Sequence, residues 1–148
     1  MTDVLVLNGP NLGRLGTREP DVYGALDAPT LAETIVAWGA ELGLRVEVRQ
    51  TDDEARLVGW LHGAVDARQD VVLNPAAFTH YSYALRDAVA QVTTDGLRLV
   101  EVHLTNPAAR ERFRHTSVVA GVATGTVAGF GPDSYRLALQ ALVGARGA

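Results

Sequence analysis

The sequence has no cysteine and no lysine among its 148 residues, and all 13 of its basic residues are arginine. Without cysteine the chain has no disulfide, no thiolate ligand for zinc and no thiol nucleophile. Without lysine it cannot form an imine with a carbonyl substrate or anchor pyridoxal phosphate, and a Walker-type phosphate loop is excluded as well. The chemistry that remains is acid–base catalysis by Tyr, His, Asp or Glu, with arginine to bind anions.

Long apolar runs and basic clusters are also absent. No apolar run approaches the ~18 residues that span a bilayer, and the first residues lack the basic region and cleavage site of a secretory signal. A net charge of −4 without a basic run argues against nucleic acid as the main partner. The four histidines show no spacing typical of a metal site. We therefore expect one globular domain spanning residues 1–148, located in the cytoplasm, with no metal, membrane or nucleic-acid partner.

Short apolar runs alternate with helix-like stretches along the chain. The runs predict strands at residues 4–7, 46–49, 71–73 and 97–104 and within 118–130, and helices are predicted at 30–42, 52–67, 81–90 and 134–143. Thr30 and Glu33 fit a capping box at the start of the first helix. Such alternation predicts an α/β fold with helices on both faces of a parallel sheet. The two common strand orders are 2-1-3-4-5 and the Rossmann order, and five strands favour the first.

A Gly-rich segment at residues 129–134, G-F-G-P-D-S, looks like a dinucleotide-binding fingerprint between a strand and a helix. The chain that follows is too short for a second strand and an acidic ribose ligand. We interpret the segment as a turn followed by a helix cap.

Polar residues follow three of the predicted strands. They are Asn8, Asn11, Arg18 and Tyr23 after the first strand, Asn74 and His80 after the third, and Glu101, His103, Arg110, Arg112 and Arg114 in and after the fourth. In a 2-1-3-4-5 sheet the ligand crevice opens at the carboxyl ends of the strands, where the strand order reverses. The sequence therefore predicts one pocket for a small anionic ligand.

Several of these residues also have a purely structural interpretation. Asn74 is compatible with an ordinary turn, and His80 with a cap on the third helix. A lone strand histidine such as His103 is usually a packed core residue, but Glu101 shares its face of the strand and is placed to orient the imidazole. The three arginines after strand 4 fit a solvated face.

The arginines and the opening loop allow a more specific expectation. A short helical turn is predicted at 108–112, and at helical spacing Arg110 and Arg114 share a face while Arg112 points away, so at most two of the three arginines serve the pocket. A tyrosine beside an arginine can have its phenol pKa lowered from about 10, which makes a tyrosinate base accessible. Arg18 and Tyr23 on one loop are therefore the strongest indication of catalysis.

The ordered motifs resemble those of the type II 3-dehydroquinate dehydratases. They are V-L-N-G-P-N-L-G-R-L-G-x-R-E-P-x-x-Y-G, N-P-A-A-F-T-H-Y-S-x-A-L-R-D-A, E-V-H-L-T-N, R-x-x-F-R and G-F-G-x-x-x-Y-x-L-A-L. This resemblance, which runs from residue 4 to residue 139, implies a flavodoxin-like three-layer sandwich. It also implies dehydration of 3-dehydroquinate to 3-dehydroshikimate without a cofactor, in the shikimate pathway or in quinate breakdown.

The resemblance also implies roles for individual residues. Tyr23 matches the base that removes the proton beside the ketone, and His103 matches the acid that protonates the departing hydroxyl. Arg18 matches the arginine that stabilises the tyrosinate, and Asn11 the residue that holds the enolate through a water. The substrate contacts carry over to Asn74, His80, Leu104, Thr105, Arg110 and Arg114.

The resemblance further implies an assembly, a homo-dodecamer built from trimers. Asp87 matches an acid that reaches a neighbouring subunit's site. Thr105 stands where serine is usual, which keeps the hydroxyl and adds a methyl group. A non-catalytic flavodoxin-like binding domain, for example one that holds flavin, is the alternative hypothesis, because this architecture hosts many functions.

Overall fold

The computed structural model describes residues 2–17 and 26–146, in which strands and helices alternate. The strands are β1 (Val4–Asn8), β2 (Val46–Gln50), β3 (Asp70–Asn74), β4 (Leu99–His103) and β5 (Gly125–Ala128). The α-helices are α1 (Ala28–Glu41), α2 (Glu54–Ala67), α3 (Tyr83–Thr94) and α4 (Asp133–Arg146). Short 3₁₀ turns occupy several of the loops between them.

The five strands form one parallel sheet in the order β2-β1-β3-β4-β5. This confirms the predicted order. The strand order reverses between β1 and β3, because β2 is added on one side of β1 and β3 on the other. Both of these central strands are buried along their whole length, as expected for parallel strands covered on two faces.

Alternate residues of each strand build two separate hydrophobic layers. On β1, Val4 and Val6 pack in the layer beneath α1 and α4, whereas Leu5 and Leu7 pack in the layer beneath α2 and α3. The molecule is thus a three-layer α/β/α sandwich. The side of the sheet that a polar residue faces follows from the same alternation.

Helix α1 does not begin with the predicted capping box at Thr30. Its cap is Asp27, whose carboxylate oxygen accepts the backbone N–H of Thr30 at 2.9 Å. The helix starts earlier than predicted because Asp27 is followed by Ala28 and Pro29, and proline is favoured in the first turn, where its missing N–H costs nothing. The Gly-rich segment before α4 is a turn, as interpreted, with Gly131 at a φ of 61°.

The loops after β1 and β3 are held against one another at the edge where the strand order reverses. Asn8 and Asn74 end these strands and are partners in the register. The backbone N–H of Gly9 donates to the carbonyl of Asn74 at 2.8 Å. A Cβ at Gly9 would lie 2.9 Å from the carbonyl oxygen of Pro75, so only glycine permits this approach.

Within residues 2–17 and 26–146, no helix combines the length and the apolar character that a membrane crossing requires.

Candidate active site

A cleft of about 570 Å³, part of it open to solvent, lies beyond the carboxyl ends of β1, β3 and β4. Its lining comes from three chain segments that the sequence separates widely. They contribute Pro10, Asn11 and Leu12, then Asn74, Ala76, Ala77 and His80, and finally His103, Leu104, Thr105, Pro107, Arg110 and Arg114. The predicted pocket therefore forms where the strand order reverses.

Most of the predicted site residues that the structure describes line this cleft, and the exceptions are Asn8, Asp87, Glu101 and Arg112. Arg18 and Tyr23 lie outside the described residues. Arg112 and Asp87 are exposed and are not among the residues that line the cleft, and Asp87 lies near Arg86 on the surface of α3. Glu101 is buried behind the cleft, in contact with His103.

Asn11 is held in an unusual backbone conformation at the mouth of the cleft. Its φ is 69°, in the left-handed region that asparagine tolerates better than most residues. Its backbone N–H donates to the carboxylate of Asp52 at 2.9 Å. Gln50 donates to the same carboxylate oxygen and also to the carbonyl of Gly9. These contacts fix the start of the loop that continues toward Arg18 and Tyr23.

Asn74 combines the structural and the functional interpretation. Its side-chain oxygen accepts the backbone N–H of Ala76 at 3.1 Å, which is the turn contact expected of asparagine. Its side-chain nitrogen donates to the hydroxyl of Tyr135 at 2.9 Å. The residue also lines the cleft, as the functional interpretation expects.

His80 is not the cap of the third helix, because Ser82 caps α3 by accepting the backbone N–H of Leu85. The ring nitrogen Nδ1 of His80 lies 2.7 Å from the carbonyl oxygen of Thr116. A carbonyl oxygen only accepts, so Nδ1 carries a proton. The other nitrogen, Nε2, is therefore an acceptor in the neutral ring and remains for the cleft.

His103 is paired with a buried carboxylate, as its spacing from Glu101 predicts. The Nε2 of His103 lies 2.5 Å from a carboxylate oxygen of Glu101, which is only 1% exposed. The hydroxyls of Thr79 and Ser117 donate to the same carboxylate. Because a carboxylate accepts, Nε2 donates, and Nδ1 is the ring nitrogen of His103 that is left for a ligand.

The ionisation of Glu101 depends on these donors. Burial raises the pKa of the Glu101 carboxyl, but the hydrogen bonds from His103, Thr79 and Ser117 and the nearby imidazole charge outweigh it and leave the pKa below its usual value. The carboxylate is therefore negatively charged behind the ring of His103. This charge accepts the Nε2–H of the ring and so orients the imidazole.

Arg110 and Arg114 both line the cleft, although not for the reason the sequence suggested. No helix carries both, because the segment forms two separate 3₁₀ turns, Pro107–Ala109 and Arg112–His115. The first turn begins at Pro107 behind the Asn106 cap and ends at Arg110, whose backbone is extended, with a φ of −112° and a ψ of −160°. Arg110 donates to the hydroxyl of Thr105 at 3.2 Å, and Arg114 donates to Glu111 at 3.1 Å.

Thr79 and Ser117 were not anticipated from the sequence. Thr79 directly precedes His80 in a predicted site segment, so its position was a usable signal. Ser117 follows Glu101 by 16 residues along an irregular stretch, and no spacing rule connects the two. Only the fold brings both hydroxyls onto one carboxylate.

The charges around the cleft favour an anionic ligand. Two arginines and two histidines line it, and no Asp or Glu does among the described residues. Arg110 and Arg114 are only 17% and 16% exposed, so their charges are less screened than those of surface arginines. No cluster of three or more potential metal ligands occurs in the described parts of the chain.

The sheet order and this cleft define an α/β protein of flavodoxin-like topology with an arginine-lined cleft at its topological switch point. A family model described as class II dehydroquinase matches residues 2–143 of the chain. The chain therefore belongs to the class II dehydroquinase family.

Individual relatives agree with this assignment. The 3-dehydroquinate dehydratase of Salinispora tropica is 59% identical over 139 residues, which cover 94% of this chain and 95% of that protein. The 3-dehydroquinate dehydratase of Mycobacterium avium is 53% identical over 141 residues, covering 95% of this chain and 96% of that protein. The crystal structure of type II dehydroquinase from Propionibacterium acnes superposes with a TM-score of 0.92 at 53% identity, and 97% of each chain is covered.

Proposed function

We propose that this chain, acting as a single catalytic domain, dehydrates 3-dehydroquinate to 3-dehydroshikimate in the shikimate pathway. The reaction is an anti elimination through an enolate, with Tyr23 as the base and His103 as the acid. The observation that carries the proposal is the pairing of His103 with buried Glu101 at a cleft lined by two arginines, in a member of the class II dehydroquinase family.

The substrate chemistry requires a base, an acid and electrostatic stabilisation. A β-hydroxy ketone loses water when a base removes the proton on the carbon beside the ketone and an acid assists the departure of the hydroxyl. The negative charge of the intermediate enolate needs donors or cations nearby. A lysine imine, the alternative route for stabilising this charge, is excluded because the chain has no lysine.

His103 is suited to the acid step by its contacts. In the imidazolium form, Nε2–H donates to Glu101 and Nδ1–H is directed to the substrate hydroxyl. The proton on Nδ1 passes to the departing hydroxyl, which leaves as water. The neutral ring that remains keeps its Nε2–H bond to Glu101, so its orientation is the same before and after the transfer.

The opening loop supplies the base. The Tyr23 phenolate takes the proton beside the ketone, and the Arg18 cation favours the phenolate over the phenol. Asn11, whose backbone is fixed by Asp52, holds the enolate oxygen through a water. The carboxylate of the substrate is bound by Arg114 and the Leu104–Thr105 segment, with Asn74, His80 and Arg110 as further contacts.

The assembly belongs to the same proposal. We expect a cytoplasmic homo-dodecamer of trimers in which Asp87 completes the site of a neighbouring subunit. Its exposed position on α3 and its absence from the lining of its own cleft are compatible with such a role.

The decisive experiment is the dehydration assay on three proteins in parallel. The unmodified protein should convert 3-dehydroquinate to a conjugated enone, followed by its ultraviolet absorbance. Tyr23→Phe should lower kcat by at least about a hundredfold, as general-base removal does, and leave substrate binding largely intact. Tyr83→Phe, a change at an exposed tyrosine of α3, is the matched control and should retain full activity.

Two outcomes would contradict the proposal. An unmodified protein without dehydration activity excludes the enzyme and leaves the non-catalytic binding domain. Full activity of Tyr23→Phe excludes this tyrosine as the base while keeping the reaction.

A further inference from the structure

Tyr135 is fully buried behind the cleft, and no step of the proposed reaction uses it. It lies in the first turn of α4, on the face of the sheet to which Asn8 and Asn74 point. Its hydroxyl donates to the side-chain oxygen of Asn8 at 2.6 Å and accepts from the side-chain nitrogen of Asn74 at 2.9 Å. One phenol thus connects the ends of the two strands between which the strand order reverses.

The direction of each hydrogen bond in this network is determined. The Asn8 oxygen can only accept, so the single proton of the Tyr135 hydroxyl points to Asn8. The Tyr135 oxygen must then accept from its second neighbour, which places the NH₂ group of Asn74 on this side. On its other side the Asn74 oxygen accepts the backbone N–H of Ala76.

A flipped Asn74 amide would lose both contacts. Its oxygen would face the Tyr135 oxygen, whose proton is already used, and its NH₂ group would face the N–H of Ala76. The turn at Ala76 has a φ of 50°, a conformation that costs free energy for a residue other than glycine. The contact from Asn74 helps to hold this turn at the wall of the cleft.

The orientation of Asn74 has a consequence for the cleft. An amide NH₂ group has two hydrogens, and Tyr135 accepts only one. Asn74 lines the cleft, and no hydrogen bond within the described residues uses its second amide hydrogen. We propose that Tyr135 is a positioning residue that presets the Asn74 side chain as a hydrogen-bond donor to a substrate oxygen. This proposal rests on the proposed function and deepens it.

Burial also keeps this network constant over the working pH range. Desolvation raises the pKa of the Tyr135 phenol far above its ordinary value, against a smaller opposing effect of the Asn74 contact. The hydroxyl therefore remains protonated. Asn74 remains the donor to Tyr135, and Tyr135 remains the donor to Asn8.

The test separates binding from chemistry in a double-mutant cycle. Tyr135→Phe removes the hydroxyl and keeps the ring. We expect KM for 3-dehydroquinate to rise about three- to tenfold, the loss of one preset hydrogen bond, with kcat changed less than about twofold. In the Asn74→Ala background the same substitution should leave KM unchanged, because Tyr135 acts through Asn74.

Loss of stability must be distinguished from loss of positioning. Leu142→Val, in the buried face of α4 two turns from Tyr135, is the stability control and should lower Tm without changing KM. Asn8→Ala offers a second route that leaves the Tyr135 ring in place. This substitution removes the acceptor that fixes the proton of the Tyr135 hydroxyl. The hydroxyl then no longer holds the Asn74 side chain in one orientation, so KM should rise here as well.

Three results would overturn the inference. One is an unchanged KM in Tyr135→Phe or, where that variant does not fold, in Asn8→Ala. Another is a rise in KM of the same size with and without the Asn74 side chain. The third is absence of turnover in the unmodified protein, which overturns the proposed function together with this inference, whereas the first two leave that function in place.

Discussion

At the scale of single residues, Glu101 places a buried negative charge beside His103. Its carboxylate is almost inaccessible to solvent, and it is stabilised by two hydroxyls and an imidazole. Removing one partner of a buried charge usually costs more than the pair contributes, because the remaining group stays desolvated. The stability of the fold and the orientation of His103 therefore both depend on this carboxylate.

The pH dependence of stability should report this charge. The folded-state pKa of Glu101 is lowered, so its stabilising effect is complete above the unfolded-state pKa of about 4.3 and is lost as the pH falls through the lower folded-state value. Glu101→Gln lacks this dependence. We expect the difference in unfolding free energy between the unmodified protein and Glu101→Gln to be largest near neutral pH and to shrink below about pH 4.

Denaturant titrations between pH 7 and pH 3 measure this difference directly. Glu33→Gln, at an exposed position of α1, is the control and should follow the unmodified protein throughout. A difference in unfolding free energy between the unmodified protein and Glu101→Gln that stays constant down to pH 3 would show that the ionised form of Glu101 contributes no stability.

At the scale of elements, the junction between β1 and β3 depends on close backbone contact. Asn8, the last residue of β1, and Gly9 after it lie against the Asn74–Pro75 segment, and both segments continue into the wall of the cleft. A substitution of a side chain that only lines the cleft leaves the backbone of the cleft wall in place. A change in the spacing of the two backbones moves every residue that follows them.

Gly9→Ala tests this junction. The added Cβ would lie within about 3 Å of backbone atoms of Pro75 and Asn74, which have no flexible end to move aside. We expect a loss of about 1–3 kcal/mol in unfolding free energy, as for other overpacked sites, and a lower kcat/KM in the dehydration assay.

The chain offers a matched control on α2. A Cβ at Gly59 would meet nothing within 4 Å, so Gly59→Ala should stabilise the helix by about 0.5–1 kcal/mol and leave activity unchanged. Equal effects of the two substitutions on denaturant unfolding would show that close approach is not what requires glycine at position 9.

At the scale of the whole molecule, the proposed assembly predicts sites shared between subunits. Asp87→Ala should lower activity although Asp87 is not part of its own cleft. When Tyr23→Phe and Asp87→Ala subunits are dissociated together and reassembled, some sites combine an intact Tyr23 with an intact neighbouring Asp87. For random mixing of equal amounts in a symmetric ring, about one quarter of the sites are of this kind.

The measurement is the specific activity of the mixture after reassembly, with light scattering to test for the expected twelve-subunit mass. Each variant reassembled alone provides the baseline. Tyr23→Phe mixed with Asp66→Ala, altered at an exposed position of α2, gives the activity expected without site sharing. A Tyr23→Phe and Asp87→Ala mixture whose activity is only the average of its components would contradict a shared site.

Much of the fold was predictable because its signals are local. Apolar runs bounded by turns located the strands, their alternation with helices predicted a parallel sheet, and the number of strands favoured the observed order. The errors occurred where two local signals compete. At α1 the Asp27-Ala28-Pro29 sequence outweighs the capping box at Thr30, and after β4 an extended backbone at Arg110 separates two short 3₁₀ turns.

The sequence alone determined the chemistry that is open to this protein and the segments that carry it. Its lack of lysine and cysteine excludes imine and thiol chemistry, and its strand order brings the polar segments to one edge. Only the tertiary structure decided the partners, such as Thr79 and Ser117 on Glu101 and Tyr135 between Asn8 and Asn74. The Tyr135 contacts join residues 61 and 127 positions apart, and their geometry depends on how α4 packs on the sheet, which no local pattern encodes.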